Sequence, residues 1–75
     1  MDESSRVVRL KVEGMHCRSC SMLVDMTLQE LDGVESSTTD LASGISTVAL
    51  DPAAVAVEDL IAAVRAAGYE AELAG

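Results

Sequence analysis

The sequence predicts an α+β domain, and three observations support this class. Apolar residues alternate with charged ones up to residue 13, which is the period of a half-buried strand. They then recur at helical spacing, and strand and helix patterns return in the second half of the chain. The resulting order is strand, helix, strand, strand, helix, strand. This order predicts the ferredoxin-like βαββαβ arrangement, with two helices on one face of a four-stranded antiparallel sheet.

The composition bounds the size of the domain and its partners. Half of the 75 residues are apolar, but there is no Phe or Trp and only one Tyr, so Val, Leu, Ile, Ala and Met must build the core. A chain of this length makes one small domain, to which we assign residues 1–75. The net charge is −8, and the chain has no basic stripe that could bind nucleic acid. This charge favours a partner with a basic face.

The hydropathy pattern bears on location. The apolar runs are shorter than a membrane span, and the N-terminus lacks the basic and then apolar pattern of a signal peptide. We therefore expect a cytoplasmic protein that is not embedded in a membrane and whose thiols stay reduced. Met1–Ser5 is polar and is expected to fray.

The first half of the chain predicts one strand and one helix. Arg6–Glu13 forms the strand, and its even-numbered residues from Val8 to Val12 face the core. Gly14 breaks this strand. The helix runs from about Ser19 to Leu31, and Gly33 serves as its C-terminal cap. Its buried stripe is predicted to contain Cys20, Val24, Thr27, Leu28 and Leu31.

The second half predicts a hairpin, a helix and a last strand. The hairpin consists of Val34–Leu41 and Ile45–Leu50 around the turn Ala42–Gly44. Its first strand is polar, which favours a sheet edge. The second helix spans about Val57–Ala67, with Leu60, Ile61, Val64 and Ala67 on its buried face and Gly68 as its cap. The last strand is Tyr69–Leu73.

Both cysteines lie where the first strand gives way to the first helix. Cys17 is expected in the loop and Cys20 in the first helical turn, where free N–H groups and the helix dipole favour the thiolate. Thiolates are soft donors for Cu(I) or Zn(II), but a structural zinc site usually takes four protein ligands. Two sulfurs can complete a two-coordinate Cu(I) site from which a partner's sulfur can withdraw the metal. The alternative is a structural or redox CxxC pair.

Four further residues are candidate auxiliaries of this pair. Met15 is interpreted as an apolar anchor under the loop, or else as a weak thioether ligand. His16 is an exposed loop residue, or a transient third ligand that tunes metal release near neutral pH. Arg18 is a solvated side chain, or offsets the negative charge of a two-thiolate Cu(I) site. Tyr69 begins the last strand and is a core aromatic residue with its hydroxyl at the surface, and in this fold it should also lie near the cysteines.

The chain resembles the heavy-metal-associated domain family, and most closely its small bacterial copper chaperones of the CopZ type. The resemblance covers about residues 7–73 and depends on three stretches: Gly14–Cys20, Leu31–Val34 and Ala67–Tyr69. It implies that Cu(I) is held between Cys17 and Cys20 and passed by sulfur exchange to a copper-transporting P-type ATPase. His16 departs from the usual Ser or Thr and leaves Zn(II) open. Ser37 and Thr39 replace the usual apolar residues of the second strand, which suggests a marginal or mobile edge.

Three functions follow as hypotheses. The first is a stand-alone Cu(I) metallochaperone, which is not an enzyme. The second is the N-terminal metal-binding domain of a copper P-type ATPase, or of a zinc or cadmium one. The third is a thiol-disulfide oxidoreductase, but the chain lacks the Trp-Cys-Gly-Pro-Cys surroundings of thioredoxin. A copper-bridged homodimer is left open.

Overall fold

The computed structural model of the chain describes residues 6–74, and the expected frayed start lies outside them. These residues form six elements in the predicted order: β1 (Arg6–Glu13), α1 (Arg18–Gln29), β2 (Val34–Asp40), β3 (Ile45–Leu50), α2 (Val57–Ala66) and β4 (Glu70–Leu73). The four strands make one sheet in the order β2-β3-β1-β4, and all three pairings are antiparallel. The ferredoxin-like prediction is therefore confirmed. No helix within residues 6–74 is long and apolar enough to cross a membrane.

The core lies between the sheet and the two helices, and aliphatic side chains fill it. It contains Leu10, Val12, Val24, Leu28, Val48, Leu50, Val55, Leu60, Val64 and Ala71. Most were expected from the strand and helix periodicities, because alternate residues of a strand share one face. Val55 and Ala71 were not anticipated, since Val55 lies in the loop before α2 and β4 is only four residues long. Several residues predicted to be buried are half-buried at the margin of the core: Val8, Cys20, Thr27, Leu31, Ile61 and Ala67.

Helix α1 is shifted toward its start relative to the prediction. It begins at Arg18, one residue before Ser19, and ends at Gln29, two residues before Leu31. Gly33 is not its cap, because Glu30 occupies that position. Gly33 instead takes a φ of +98° in the turn that leads to β2, and a Cβ there would lie 2.8 Å from the Cβ of Ala54. Glycine is therefore required for the turn both by its backbone conformation and by its close neighbour.

The end of α2 carries the chain back toward the cysteines. The helix stops at Ala66, one residue earlier than predicted, and β4 starts one residue after Tyr69. Gly68 has a φ of +104°, its N–H donates to the carbonyl of Arg65, and the N–H of Tyr69 donates to the carbonyl of Val64. These two bonds are the Schellman pattern, in which a left-handed glycine satisfies the last carbonyls of a helix. The pattern fixes the direction in which Tyr69 leaves the helix.

Strand β2 lies at the sheet edge, as its polar sequence predicts, and ends at Asp40 rather than Leu41. Its inward hydroxyls are bonded across to α1. The Oδ1 atom of Asp25 accepts from the hydroxyls of Ser37 and Thr39, at 2.6 Å each, and its Oδ2 atom accepts from the N–H of Thr39. Thr39 also shares a 2.7 Å hydrogen bond with the buried hydroxyl of Ser46. A polar network therefore occupies the place where the sequence left an unexplained gap in the apolar pattern.

Candidate metal centre

Two loops meet at one end of the molecule and form the candidate site. The first, residues 14–17, joins β1 to α1, and the second, residues 67–69, joins α2 to β4. A Cβ on Gly14 would lie 3.4 Å from the Cδ1 atom of Tyr69, so the tyrosine ring packs directly beside the first loop. Met15 is half-buried and packs against the core, as expected for an anchor beneath the loop. The predicted proximity of Tyr69 to the cysteines is confirmed.

The two cysteine sulfurs lie close together on the open surface. Cys17 is exposed and is the N-cap of α1, whereas Cys20 is half-buried in its first turn. Their Sγ atoms are 3.5 Å apart. Two bonds of about 2.3 Å, the length of a zinc–thiolate bond, would allow sulfurs up to about 4.6 Å apart to share one ion. Both thiols are free, and their separation is within this limit.

The surroundings of Cys20 favour its thiolate. Hydrogen bonding by the side chain of Tyr69 is the main cause that lowers the pKa of Cys20 from 9.0 to about 7. The backbone of His16 and the side chain of Cys17 lower this pKa further, while desolvation opposes them. The same bond raises the pKa of Tyr69, because a phenol that donates to a thiolate is held in its protonated form. Both shifts therefore reflect the same interaction between Tyr69 and Cys20, which favours the thiolate of Cys20.

His16 and Arg18 flank the pair but do not join it. His16 is exposed in the loop, and Arg18 is exposed at the first position of α1. Within residues 6–74 there is no group of three or more His, Cys, Asp or Glu side chains that could hold a metal ion together. The arrangement is therefore a two-sulfur site. Its geometry suits an ion that accepts two soft ligands and leaves room for a third from outside.

Two serines of the first helical turn were missed from the sequence. The Oγ of Ser19 lies 3.0 Å from the Sγ of Cys17, and the hydroxyl of Ser21 donates to the carbonyl of Arg18. Ser21 is 7 % exposed and is the buried residue of this turn, whereas Cys20, which was predicted to be buried, is half-buried. Serine is frequent near helix starts because its hydroxyl bonds nearby backbone. That tendency could have predicted Ser21, but nothing in the local sequence pattern indicates a bond from Ser19 to a sulfur.

The fold and this loop define a class: small ferredoxin-like domains that present an exposed pair of cysteines between the first strand and the first helix. The chain belongs to the heavy-metal-associated domain family, whose model matches residues 9–70. It is 38% identical over 61 residues to the copper chaperone CopZ of Bacillus subtilis. That match covers 81% of this chain and 88% of the chaperone.

P-type ATPases are similar to the chain as well. It is 32% identical over 68 residues to a copper-exporting P-type ATPase of Staphylococcus saprophyticus. This match covers 91% of this chain and 9% of the ATPase. The crystal structure of a copper binding domain from HMA7, a P-type ATPase, matches with a TM-score of 0.92 at 33% identity. This match covers 93% of this chain and 95% of that domain. The chain spans less than a tenth of the length of the curated ATPases that it matches.

Proposed function

We propose that the chain is a cytoplasmic Cu(I) metallochaperone, in which Cys17 and Cys20 hold the ion as cargo. The observation that carries the proposal is the exposed pair of sulfurs 3.5 Å apart, with no third His, Cys, Asp or Glu clustered with it in residues 6–74. Soft thiolates in a two-ligand site suit Cu(I), whereas structural Zn(II) usually takes four protein ligands. The similarity to a copper chaperone along 88% of its length supports the same cargo.

Release follows from the same geometry. Cys17 is exposed, so a partner's thiolate can approach the ion while it is still bound. One new sulfur–copper bond then forms, and the bonds to Cys17 and Cys20 break in turn as the second sulfur of the partner binds. The ion keeps its charge and no electron is transferred, so the proposed role requires no redox chemistry and no catalysis by the chain.

We propose the metal-binding domain of a copper-transporting P-type ATPase as the partner. Three apolar side chains on the outer face of α1, Met22, Leu23 and Met26, are 44–59 % exposed and begin two residues after Cys20. Methionine is common on surfaces that adapt to a partner. We call these three residues the α1 patch. Because the α1 patch begins next to the sulfurs, a partner that docks on the patch would also lie close to the bound ion.

Most of the negative charge lies away from this contact. The end with the cysteines has four acidic and three basic side chains: Glu13, Asp40, Glu70, Glu72, Lys11, Arg18 and Arg65. The opposite end of the described chain has six acidic residues and one basic: Glu30, Asp32, Glu35, Asp51, Glu58, Asp59 and Arg6. Helix α1, with 12 residues, separates the ends by about 18 Å, beyond the Debye length of about 8 Å in physiological salt. The docking surface therefore needs apolar complementarity more than the basic face suggested by net charge.

An anaerobic competition titration with chromophoric chelators tests the proposal. The reduced protein should bind one Cu(I) tightly and prefer it to Zn(II). Cys17→Ser and Cys20→Ser should each abolish tight binding while far-UV circular dichroism shows the same fold. His16→Ala is the matched control in the same loop and should bind like the wild type. Preference for Zn(II), or tight binding retained in both cysteine variants, would refute the proposal.

The second candidate is the N-terminal metal-binding domain of a copper P-type ATPase, or of a zinc or cadmium one. The similarity to the ATPases over 91% of this chain favours it specifically. An immunoblot of the native protein distinguishes the two functions. A band near 7.8 kDa supports the chaperone, and a band of an order of magnitude greater mass supports the ATPase.

A further inference from the structure

Each sulfur has a neighbour that carries a hydroxyl, and the two neighbours come from different parts of the chain. Tyr69, in the α2–β4 loop, lowers the pKa of Cys20 through hydrogen bonding by its side chain. Cys17 is hydrogen-bonded to the hydroxyl of Ser19, at 3.0 Å, within the same helical turn. When Cys17 is a thiolate it can only accept, so the serine hydroxyl donates.

The conformation of Cys17 makes this bond important. As the N-cap residue it has extended backbone angles, φ −156° and ψ 170°, yet its side chain makes no bond to the free N–H groups of the first turn. An exposed side chain can occupy several staggered χ1 rotamers, and an N-cap thiol has those N–H groups as alternative partners. In the structure the sulfur instead lies against Ser19 and 3.5 Å from the sulfur of Cys20.

We propose that Ser19 is a positioning residue, whose hydroxyl holds the sulfur of Cys17 in the rotamer that faces Cys20. This inference rests on the proposed function, because the benefit is to metal capture. Both sulfurs are then in place before the ion arrives, and less rotamer freedom is lost on binding. Ser19 itself does not bind the ion. The neighbouring Ser21 has no such role, since its hydroxyl is bonded to the carbonyl of Arg18.

The first experiment uses metal-free, reduced protein. Three-bond Hα–Hβ couplings measured by NMR report the χ1 rotamers of both cysteines. We expect one dominant rotamer for Cys17 in the wild type, averaged couplings in Ser19→Ala, and recovery in Ser19→Thr, which restores a hydroxyl. The couplings of Cys20 should not change in either variant. Ser43→Ala removes another exposed hydroxyl, bonded to Asp40, and should leave both cysteines unaffected.

The second experiment measures Cu(I) affinity of the same variants by chelator competition. One ordinary hydrogen bond corresponds to about a two- to tenfold change in an equilibrium constant, so Ser19→Ala should bind Cu(I) two- to tenfold more weakly. Ser19→Thr and Ser43→Ala should bind like the wild type. A merely structural role for Ser19 would change thermal stability but would not average the couplings of Cys17 alone.

The outcomes separate this inference from the proposed function. Unchanged Cys17 couplings in Ser19→Ala would overturn the positioning role. Averaged Cys17 couplings with unchanged Cu(I) affinity would overturn the proposal that this positioning strengthens Cu(I) binding. If the wild type fails to bind Cu(I), the proposed function fails, and the couplings of the metal-free protein still support or overturn the contact between Ser19 and Cys17.

Discussion

Asp25 joins helix α1 to the edge strand β2, and its replacement by Ala is the sharpest test of how this edge is held. The carboxylate accepts two hydroxyls at 2.6 Å and one backbone N–H at 3.2 Å. Ser37 is 7 % exposed and loses its acceptor in Asp25→Ala, while Thr39 keeps its contact with Ser46. The cost therefore comes mainly from donors that are left inside the domain without a partner.

The magnitude follows from these bonds. A hydrogen bond to a charged group contributes about 1.5–3 kcal/mol, and a buried donor without an acceptor costs about 1–3 kcal/mol. Because Asp25 is half-buried and Thr39 keeps one partner, we take the lower end and expect a loss of about 2–3 kcal/mol in the free energy of unfolding. A domain of this size has roughly 4–11 kcal/mol of stability, so the loss is a large fraction of the total.

Urea unfolding of the metal-free, reduced protein, followed by far-UV circular dichroism, measures this effect. With a slope of about 1 kcal/mol per molar urea, the midpoint should fall by about 2–3 M. Glu30→Ala removes an exposed carboxylate just after the same helix and should change stability by less than about 0.5 kcal/mol. In a double-mutant cycle, Asp25→Ala and Ser37→Ala should couple by about 1 kcal/mol. A midpoint within about 0.5 M of the wild type, or simple additivity, would refute the reasoning.

Two further predictions concern the thiolate and the α1 patch. Tyr69→Phe removes the hydroxyl whose hydrogen bonding lowers the pKa of Cys20, so this pKa should rise from about 7 toward 9.0. Alkylation of Cys20, followed against pH by peptide mass spectrometry, should show the same rise in its midpoint. Because protons compete with metal below the pKa of a thiol, this variant should bind Cu(I) more weakly at pH 7 and like the wild type above pH 9; an unmoved midpoint would contradict the assigned hydrogen bond. Met22→Ser combined with Met26→Ser should slow Cu(I) transfer to the N-terminal domain of a copper P-type ATPase several-fold without a change in Cu(I) affinity. Val7→Ser, at an equally exposed apolar residue of the sheet, is the control, and equal transfer rates would argue against docking at the patch.

The sequence determined the features that depend on neighbouring residues. Alternation in Arg6–Glu13, helical spacing after Cys17 and the return of both patterns in the second half were sufficient for the order of elements, because burial of one face imposes those periods on any chain. The same patterns identified most of the core and placed the cysteines at the start of a helix. The predicted ends of the elements were less accurate: α1 stops at Gln29, with Glu30 at the C-cap position, and the chain then needs the left-handed Gly33 for the turn to β2.

Only the tertiary structure decided which polar groups meet. Asp25 bonds to Ser37 and Thr39, 12 and 14 positions away, so an edge that looks under-packed in the sequence has a carboxylate as its partner. Tyr69 reaches Cys20 because the Schellman turn directs it there. Ser19 is only two residues from Cys17, yet their contact depends on the rotamer of an exposed sulfur. A hydrogen bond needs its two atoms at a definite distance and angle, and these are set by packing across elements and by side-chain rotamers, neither of which leaves a period in the sequence.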